Sequence, residues 1–190
     1  MTKSILLVGV GGQGTILASK ILTRGLMEAG YDVKMSEIHG MSQRGGGVSS
    51  QIRYGEKVDS PVIDKGTAEL LIAFEKMEAL RWSEYVKADG TIVVNDCEIP
   101  SMSVATGEEE YDPNVIETLS SIAETQVVDA TKLATELDNV KATNVILLGS
   151  MIKSMKLEHI NWEQIIRDNV KPAFVELNLK ALQVGMEAVK

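Results

Sequence analysis

Cysteine is nearly absent: Cys97 is the one thiol in 190 residues. A lone thiol cannot close an internal disulfide, and it cannot supply the four thiolates of an iron–sulfur cluster or a structural zinc site. Cys97 reads as a small buried side chain at a strand end, with a reactive thiol as the alternative. Histidine is almost as scarce, with two in the chain. His159 falls between helical stretches and reads as a surface residue. His39, beside a glycine, reads either as a general acid or base or as a local hydrogen-bonding group. Two distant histidines and one cysteine make no metal site. An excess of positive charge is also missing, since 19 Lys and Arg stand against 27 Asp and Glu for a net charge of −8. Such a chain repels a polyanion, which excludes nucleic acid as a main partner. No hydrophobic run is long enough for a signal sequence or a membrane span, because glycines end residues 5–10 at once. The expectation is a cytoplasmic protein with no membrane partner. Repeats, low-complexity tracts and a Pro/Gly/Ser linker are lacking too, so residues 1–190 are expected to form a single domain. What remains is 44% hydrophobic and 24% charged, ordinary for a globular chain and unlike a disordered one.

The pattern of apolar residues gives the elements. Residues 4–10 are a continuous apolar run of the kind a buried parallel strand shows. From Thr15, the residues Ile16, Leu17, Ile21, Leu22 and Leu26 recur at helical spacing, and Gly30 is placed as a C-terminal stop. Residues 31–36 read as a second strand, completing a strand–helix–strand unit. Residues 48–54 alternate apolar and polar like a half-exposed strand. Further strands are expected at 68–74, 91–96 and 126–129, with a short edge strand at 101–106. Helices are expected at 76–82, 115–124, 131–137, 144–155, 161–169 and 174–189, the 161–169 helix capped by Asn161 with Gln164 as its capping-box partner. The run Glu108 to Glu110 reads as a solvated loop. Strands alternating with helices predict an α/β fold, a Rossmann-like doubly wound and mostly parallel sheet with helices on both faces and a helical C-terminal third.

Two glycine-rich segments carry the candidate chemistry. Gly9-x-Gly11-x-x-Gly14, with Gly12 and Gln13 inside it, follows the first strand and opens the first helix. That is the setting in which glycines permit a tight turn and a helix N-terminus offers N–H groups to an anion. The bland reading is that these glycines only let the helix pack on the sheet. Glu37 lies where a dinucleotide-binding domain places its ribose-binding acid. The second segment, Gly40-Met-Ser-Gln-Arg-Gly-Gly-Gly47, sets one cation, Arg44, among glycines able to form an anion nest. No Ser/His/Asp order and no nucleophile elbow occurs.

Taken together, Leu7-Val-Gly-Val-Gly-Gly-Gln-Gly14, Ser36-Glu-Ile-His-Gly-Met-Ser-Gln-Arg-Gly-Gly46 and Val48-x-Ser-x-Ile-Arg-Tyr-Gly55 resemble the gamma-type domain of 2-oxoacid:ferredoxin oxidoreductases. The second motif is closest in wording to the small (beta) subunit of the indolepyruvate type. The resemblance implies oxidative decarboxylation of a 2-oxoacid with coenzyme A to acyl-CoA, carbon dioxide and reduced ferredoxin. It implies thiamine diphosphate, magnesium and iron–sulfur clusters on a large (alpha) partner subunit, through which ferredoxin is reduced. The chain itself offers no Gly-Asp-Gly with paired asparagines, Asp89-Gly90 being only a fragment. It is therefore expected to bind none of these cofactors alone, to be inactive alone, and when isolated to be able to pair with a second copy through surfaces meant for the partner. Its expected contribution is Gly9, Gly11, Gly12, Gln13, Gly14, Ser42, Gln43, Arg44, Gly45 and Gly46, contacting coenzyme A phosphates or the partner's active site. The rival readings are an NAD(P)-binding Rossmann oxidoreductase or nucleotide-binding regulator, resting on Gly9 to Gly14 and Glu37, and a scaffold that touches no ligand.

Overall fold

The computed structural model describes residues 2–39, 46–100 and 102–190, His39 by its backbone alone. Among these, six strands form one sheet: β1 (Lys3–Val10), β2 (Asp32–His39), β3 (Gly47–Gly55), β4 (Ala68–Ala73), β5 (Val86–Asn95) and β6 (Glu124–Val128). The order across the sheet is β2-β3-β1-β4-β5-β6. β1, β4, β5 and β6 pair in parallel, while β3 runs antiparallel to both β1 and β2. The expected mostly parallel α/β sheet therefore forms, but β3 inserts between β1 and β2 and splits the strand–helix–strand unit.

Side-chain alternation puts Ile5 and Leu7 of β1 on one face, and Leu6 and Val8 on the other. Against the first face pack α1 (Thr15–Glu28), α5 (Ala130–Glu136), α6 (Thr143–Ser154), α7 (Trp162–Asn169) and α8 (Val175–Glu187). Against the second pack α2 (Lys76–Trp82) and α4 (Val115–Ile122). β1 is buried along all but its first residue because both faces are covered, which is why its sequence is a continuous apolar run.

α1 buries Ala18, Ile21, Leu22 and Leu26, whereas Ile16 and Leu17 of its first turn are exposed. It stops as expected at Gly30, whose φ is +87°. The Gly30 N–H bonds the Met27 carbonyl and the Tyr31 N–H bonds the Leu26 carbonyl, closing the helix with a Schellman motif. Asn161 caps α7 by accepting from the Gln164 N–H at 3.2 Å. The Gln164 side chain turns instead to Asp168, so only half of the expected capping box is made.

α6 and α8 touch backbone to backbone. A Cβ on Gly185 would lie 1.8 Å from the Ile146 carbonyl oxygen, and the Ser150 hydroxyl donates to the Gly185 carbonyl at 3.0 Å. No larger residue fits at Gly185 without moving a helix.

The expected edge strand at 101–106 does not form, and β3, expected to be half-exposed, is largely buried. Residues 102–105 are a helical turn, α3 (Met102–Ala105), and not an edge strand. The Thr106 N–H returns to the Met102 carbonyl at 2.9 Å, and the Glu108 and Glu109 N–H groups both return to Ser103. These local bonds outweigh a short alternation of apolar and polar residues that no neighbouring strand supports.

Candidate functional site

The chain winds one way across the sheet after β1 and the other way after β4, so the crevice between their carboxyl ends is where an open α/β sheet takes a ligand. Here a side chain of the protein fills it. Gln13 accepts from the Val10 N–H at 2.7 Å and donates from Nε2 to the Phe74 carbonyl at 2.7 Å. Asn95, at the end of β5, also donates to the Phe74 carbonyl and accepts from the Ala130 N–H. The carboxyl ends of three parallel strands and the start of α5 are thus tied by two amide side chains.

The expected glycines surround this lock. Gly14 is the N-cap of α1, with φ +82°. A Cβ there would lie 2.7 Å from Asn144 Nδ2, so Gly14 is required both by its backbone and by the approach of α6. Gly12, exposed at the tip, has φ +104° and open space around it. Gly9 sits within β1. The Gly11 N–H bonds the Gly46 carbonyl at 2.9 Å, which joins the first glycine segment to the end of the second. Of the remaining expected site residues, Ser42, Gln43, Arg44 and Gly45, like the side chain of His39, lie outside the described residues. Glu37 accepts from the Ser19 hydroxyl of α1 at 2.9 Å, which ties β2 to the helix.

A second cluster escaped the sequence reading. Glu75, Glu78 and Arg81 recur every three residues along one side of α2. Glu75 is the helix N-cap and is buried. It accepts from the Glu78 N–H, the Ile99 N–H and the Tyr111 hydroxyl, the last at 2.6 Å. Glu78 is 1% exposed. Its Oε1 lies 3.3 Å from Arg81 Nε, and its Oε2 has no hydrogen-bond partner. Burial pushes its carboxyl above the ordinary value, against the pull of Arg81. Arg81 also forks onto Glu109 at 3.0 and 2.7 Å. Glu109 is therefore not the freely solvated residue its acidic run suggested: an arginine 28 positions away holds it. The signal available was the i, i+3 spacing of two acids and a base, which in sequence looks like any solvated helix face.

Cys97 lies just past β5 and is half-buried, its thiol pushed up chiefly by burial. Exposed His159 falls between α6 and α7. Among the described residues no three His, Cys, Asp or Glu converge to hold a metal ion. None of the described helices is long and apolar enough to cross a membrane.

A split strand–helix–strand unit, a glycine segment closing the switch-point crevice and the two motifs around them define the class. Residues 4–188 match the pyruvate ferredoxin/flavodoxin oxidoreductase family model, and the chain belongs to that family, as its motifs suggested. Within the family it is similar to the indolepyruvate oxidoreductase subunit IorB of Pyrococcus horikoshii, 36% identical over 197 residues that cover 98% of this chain and 96% of that one. The pyruvate oxidoreductase subunit PORC of Thermotoga maritima shares its fold, with a TM-score of 0.72 at 23% identity over 98% of this chain and 96% of that one. So does part of the 2-oxoglutarate:ferredoxin oxidoreductase of Magnetococcus marinus, solved with 2-oxoglutarate, coenzyme A and succinyl-CoA bound. There the TM-score is 0.76 at 16% identity, over 98% of this chain and 31% of that one. The matches lend no support to the NAD(P)-binding alternative. Glu37 engaged with Ser19 and a crevice filled by Gln13 count against it as well.

Proposed function

We propose that this chain is the small subunit of an indolepyruvate-type 2-oxoacid:ferredoxin oxidoreductase, working as one gamma-type domain beside a large subunit. The carrying observation is the 36% identity that runs through nearly the whole of both chains in the comparison with the indolepyruvate oxidoreductase subunit. On this reading the large subunit holds thiamine diphosphate, magnesium and the iron–sulfur clusters. Thiamine diphosphate supplies the carbanion chemistry and the clusters carry electrons to ferredoxin. Aryl pyruvate and coenzyme A are the substrates, and the enzyme works in the cytoplasm.

This chain's part is to present its two glycine segments to the shared site. Gly11, Gly12, Gly14, Gly45 and Gly46 offer backbone, Ser42 and Gln43 offer hydrogen bonds, and Arg44 offers charge to coenzyme A phosphates. The bond from Gly11 to Gly46 supports treating the two segments as one unit. Gln13 enters this picture as the residue that shapes the first loop, both ends of its amide being engaged within the chain.

Co-expression with a candidate large subunit tests the reading. The two chains are expected to purify together and to reduce ferredoxin only when aryl pyruvate and coenzyme A are both present; failure of either sinks it. In that complex Arg44→Ala is expected to raise the KM for coenzyme A about tenfold, in line with loss of a charge-assisted phosphate contact. An unchanged KM removes the ligand role and leaves assembly.

A further inference from the structure

The first turn of α1 borders a cavity of about 350 Å³, within the roughly 300–1,000 Å³ of pockets that enclose small molecules. Its lining sorts into three chemical kinds. Leu17, Val170, Phe174 and Leu177 are apolar, with Leu17 and Phe174 exposed despite their size. Lys141 and Lys171 supply two cations, neither paired with an acid among the described residues, and none of the lining residues is acidic. In a chain of net charge −8 that is a local reversal of sign. Asn144, Asn169 and Asn178 supply amides whose nitrogen is already committed. Each donates from Nδ2 to a backbone carbonyl, of Gly14 at 3.4 Å, Ile165 at 2.8 Å and Phe174 at 2.7 Å. Their Oδ1 atoms are left as acceptors with no donor among the described residues. Asn144 is 7% exposed, yet its Oδ1 is not sealed off as Glu78 Oε2 is, and so stays open to a donor. The helix ends agree with this division. α6 and α8 begin at the cavity, their N-caps Ala142 and Phe174 offering no side-chain cap, and α7 ends there at Asn169. Helix starts favour negative charge and a helix end favours positive charge. One cavity thus asks for an anion, a hydrogen-bond-donating cation and an apolar body together.

We infer that this cavity binds a free amino acid with a large apolar side chain. Its carboxylate lies on Lys141 and Lys171, its ammonium on the asparagine oxygens, and its side chain against Leu17, Phe174 and Leu177. An acid without the amine would leave the oxygens unserved, and an amine without the acid would leave the lysines unserved. Asn144 is also the residue that stands against Gly14, so an occupant held by its Oδ1 bears on the first glycine loop. The inference does not depend on the reading of this chain as a small subunit.

The test titrates the isolated full chain with L-phenylalanine by calorimetry or ligand-detected NMR. Beside it run compounds that each lack one part: phenylacetate without the ammonium, phenylethylamine without the carboxylate and L-alanine without the large side chain. L-phenylalanine is expected to bind with a Kd below about 1 mM, and each of the others about tenfold more weakly or worse. Lys141→Met combined with Lys171→Met, both at exposed positions, is expected to weaken L-phenylalanine about tenfold or more. Asn144→Leu is expected to weaken it by a similar factor, and Asn178→Leu, at a half-buried position, keeps the test decisive should Asn144→Leu fail to fold. No saturable binding of L-phenylalanine below about 1 mM, or binding that the lysine and asparagine variants leave unchanged, overturns the site. Phenylacetate or phenylethylamine binding as tightly overturns the amino acid as its ligand. In a complex with a co-purified large subunit the binding is expected to persist; its loss there assigns this face to the subunit interface and overturns the proposal too. Failure of co-purification leaves the titrations of the isolated chain standing, so this inference and the proposed function fail separately.

Discussion

The first glycine segment and the surroundings of Gly46 and Gly47 differ in how far their polar groups are satisfied. At the first, each end of Gln13 has a backbone partner at 2.7 Å and Asn95 adds a second amide to the same carbonyl. At the second, Glu78 Oε2 and Ser49 Oγ are buried with no partner. A region with its polar groups paired internally has little left to give a ligand except outward-facing backbone, whereas one with buried unpaired acceptors is stabilised by whatever fills it. The contrast teaches that a loop at a switch point can have its side chain engaged within the fold while buried acceptors nearby stay unpaired.

The largest expected effect comes from opening the closed region. Gln13→Ala strips the Val10 N–H and the Phe74 carbonyl of a partner each, and is expected to cost about 2–3 kcal/mol in denaturant-induced unfolding. A cost below about 0.5 kcal/mol, within the range of a surface change, would dissolve the contrast. Next come the turn glycines. Alanine at either Gly12 or Gly14 bears a left-handed backbone penalty of about 1–2 kcal/mol, but only at Gly14 does the new Cβ also meet Asn144. Gly14→Ala is expected to be the more destabilising of the two, and equal losses would show that α6 does not press on the loop.

The smallest effect has the opposite sign. Glu78→Gln is expected to lie within about 1 kcal/mol of wild type at neutral pH, on the stabilising side, since burial costs the carboxylate more than its ion pair with Arg81 returns. Burial and the neighbouring Glu75 and Glu109 hold the folded Glu78 carboxyl above its ordinary value, with Arg81 opposing them. Above that ordinary value the folded chain binds more protons than the unfolded one, so this group's contribution falls as pH rises toward the folded pKa. Wild type should therefore lose stability relative to Glu78→Gln as pH is raised from about 4 toward neutrality, in the range where carboxyls titrate. A gap that widens in the other direction would mean that Arg81 outweighs burial.

Much of this architecture was legible in the order of residues. The apolar runs of β1 and β4, the helical spacing in α1 and the stop at Gly30 are local signals, and each element formed where its signal lay. The placement of β3 was not legible, because period-2 alternation specifies a strand but not its neighbours. The same alternation promised a half-exposed strand. Ser49, Ser50 and Gln51 are instead buried, and Gln51 accepts from the Ile63 N–H, 12 residues further on, at 2.7 Å. At the candidate site the sequence pointed to glycines, whose conformational role is local. It passed over Glu78, whose burial depends on what packs around it, and it did not reveal that both ends of the Gln13 amide engage the chain's own backbone.

The backbone contact between α6 and α8 bears on the timing of folding. Until residues 175–187 are in place the groove beside Ile146 is uncovered, and α6 is the helix that carries Asn144 to Gly14. The setting of the first glycine loop is thus linked, through α6, to the docking of α8.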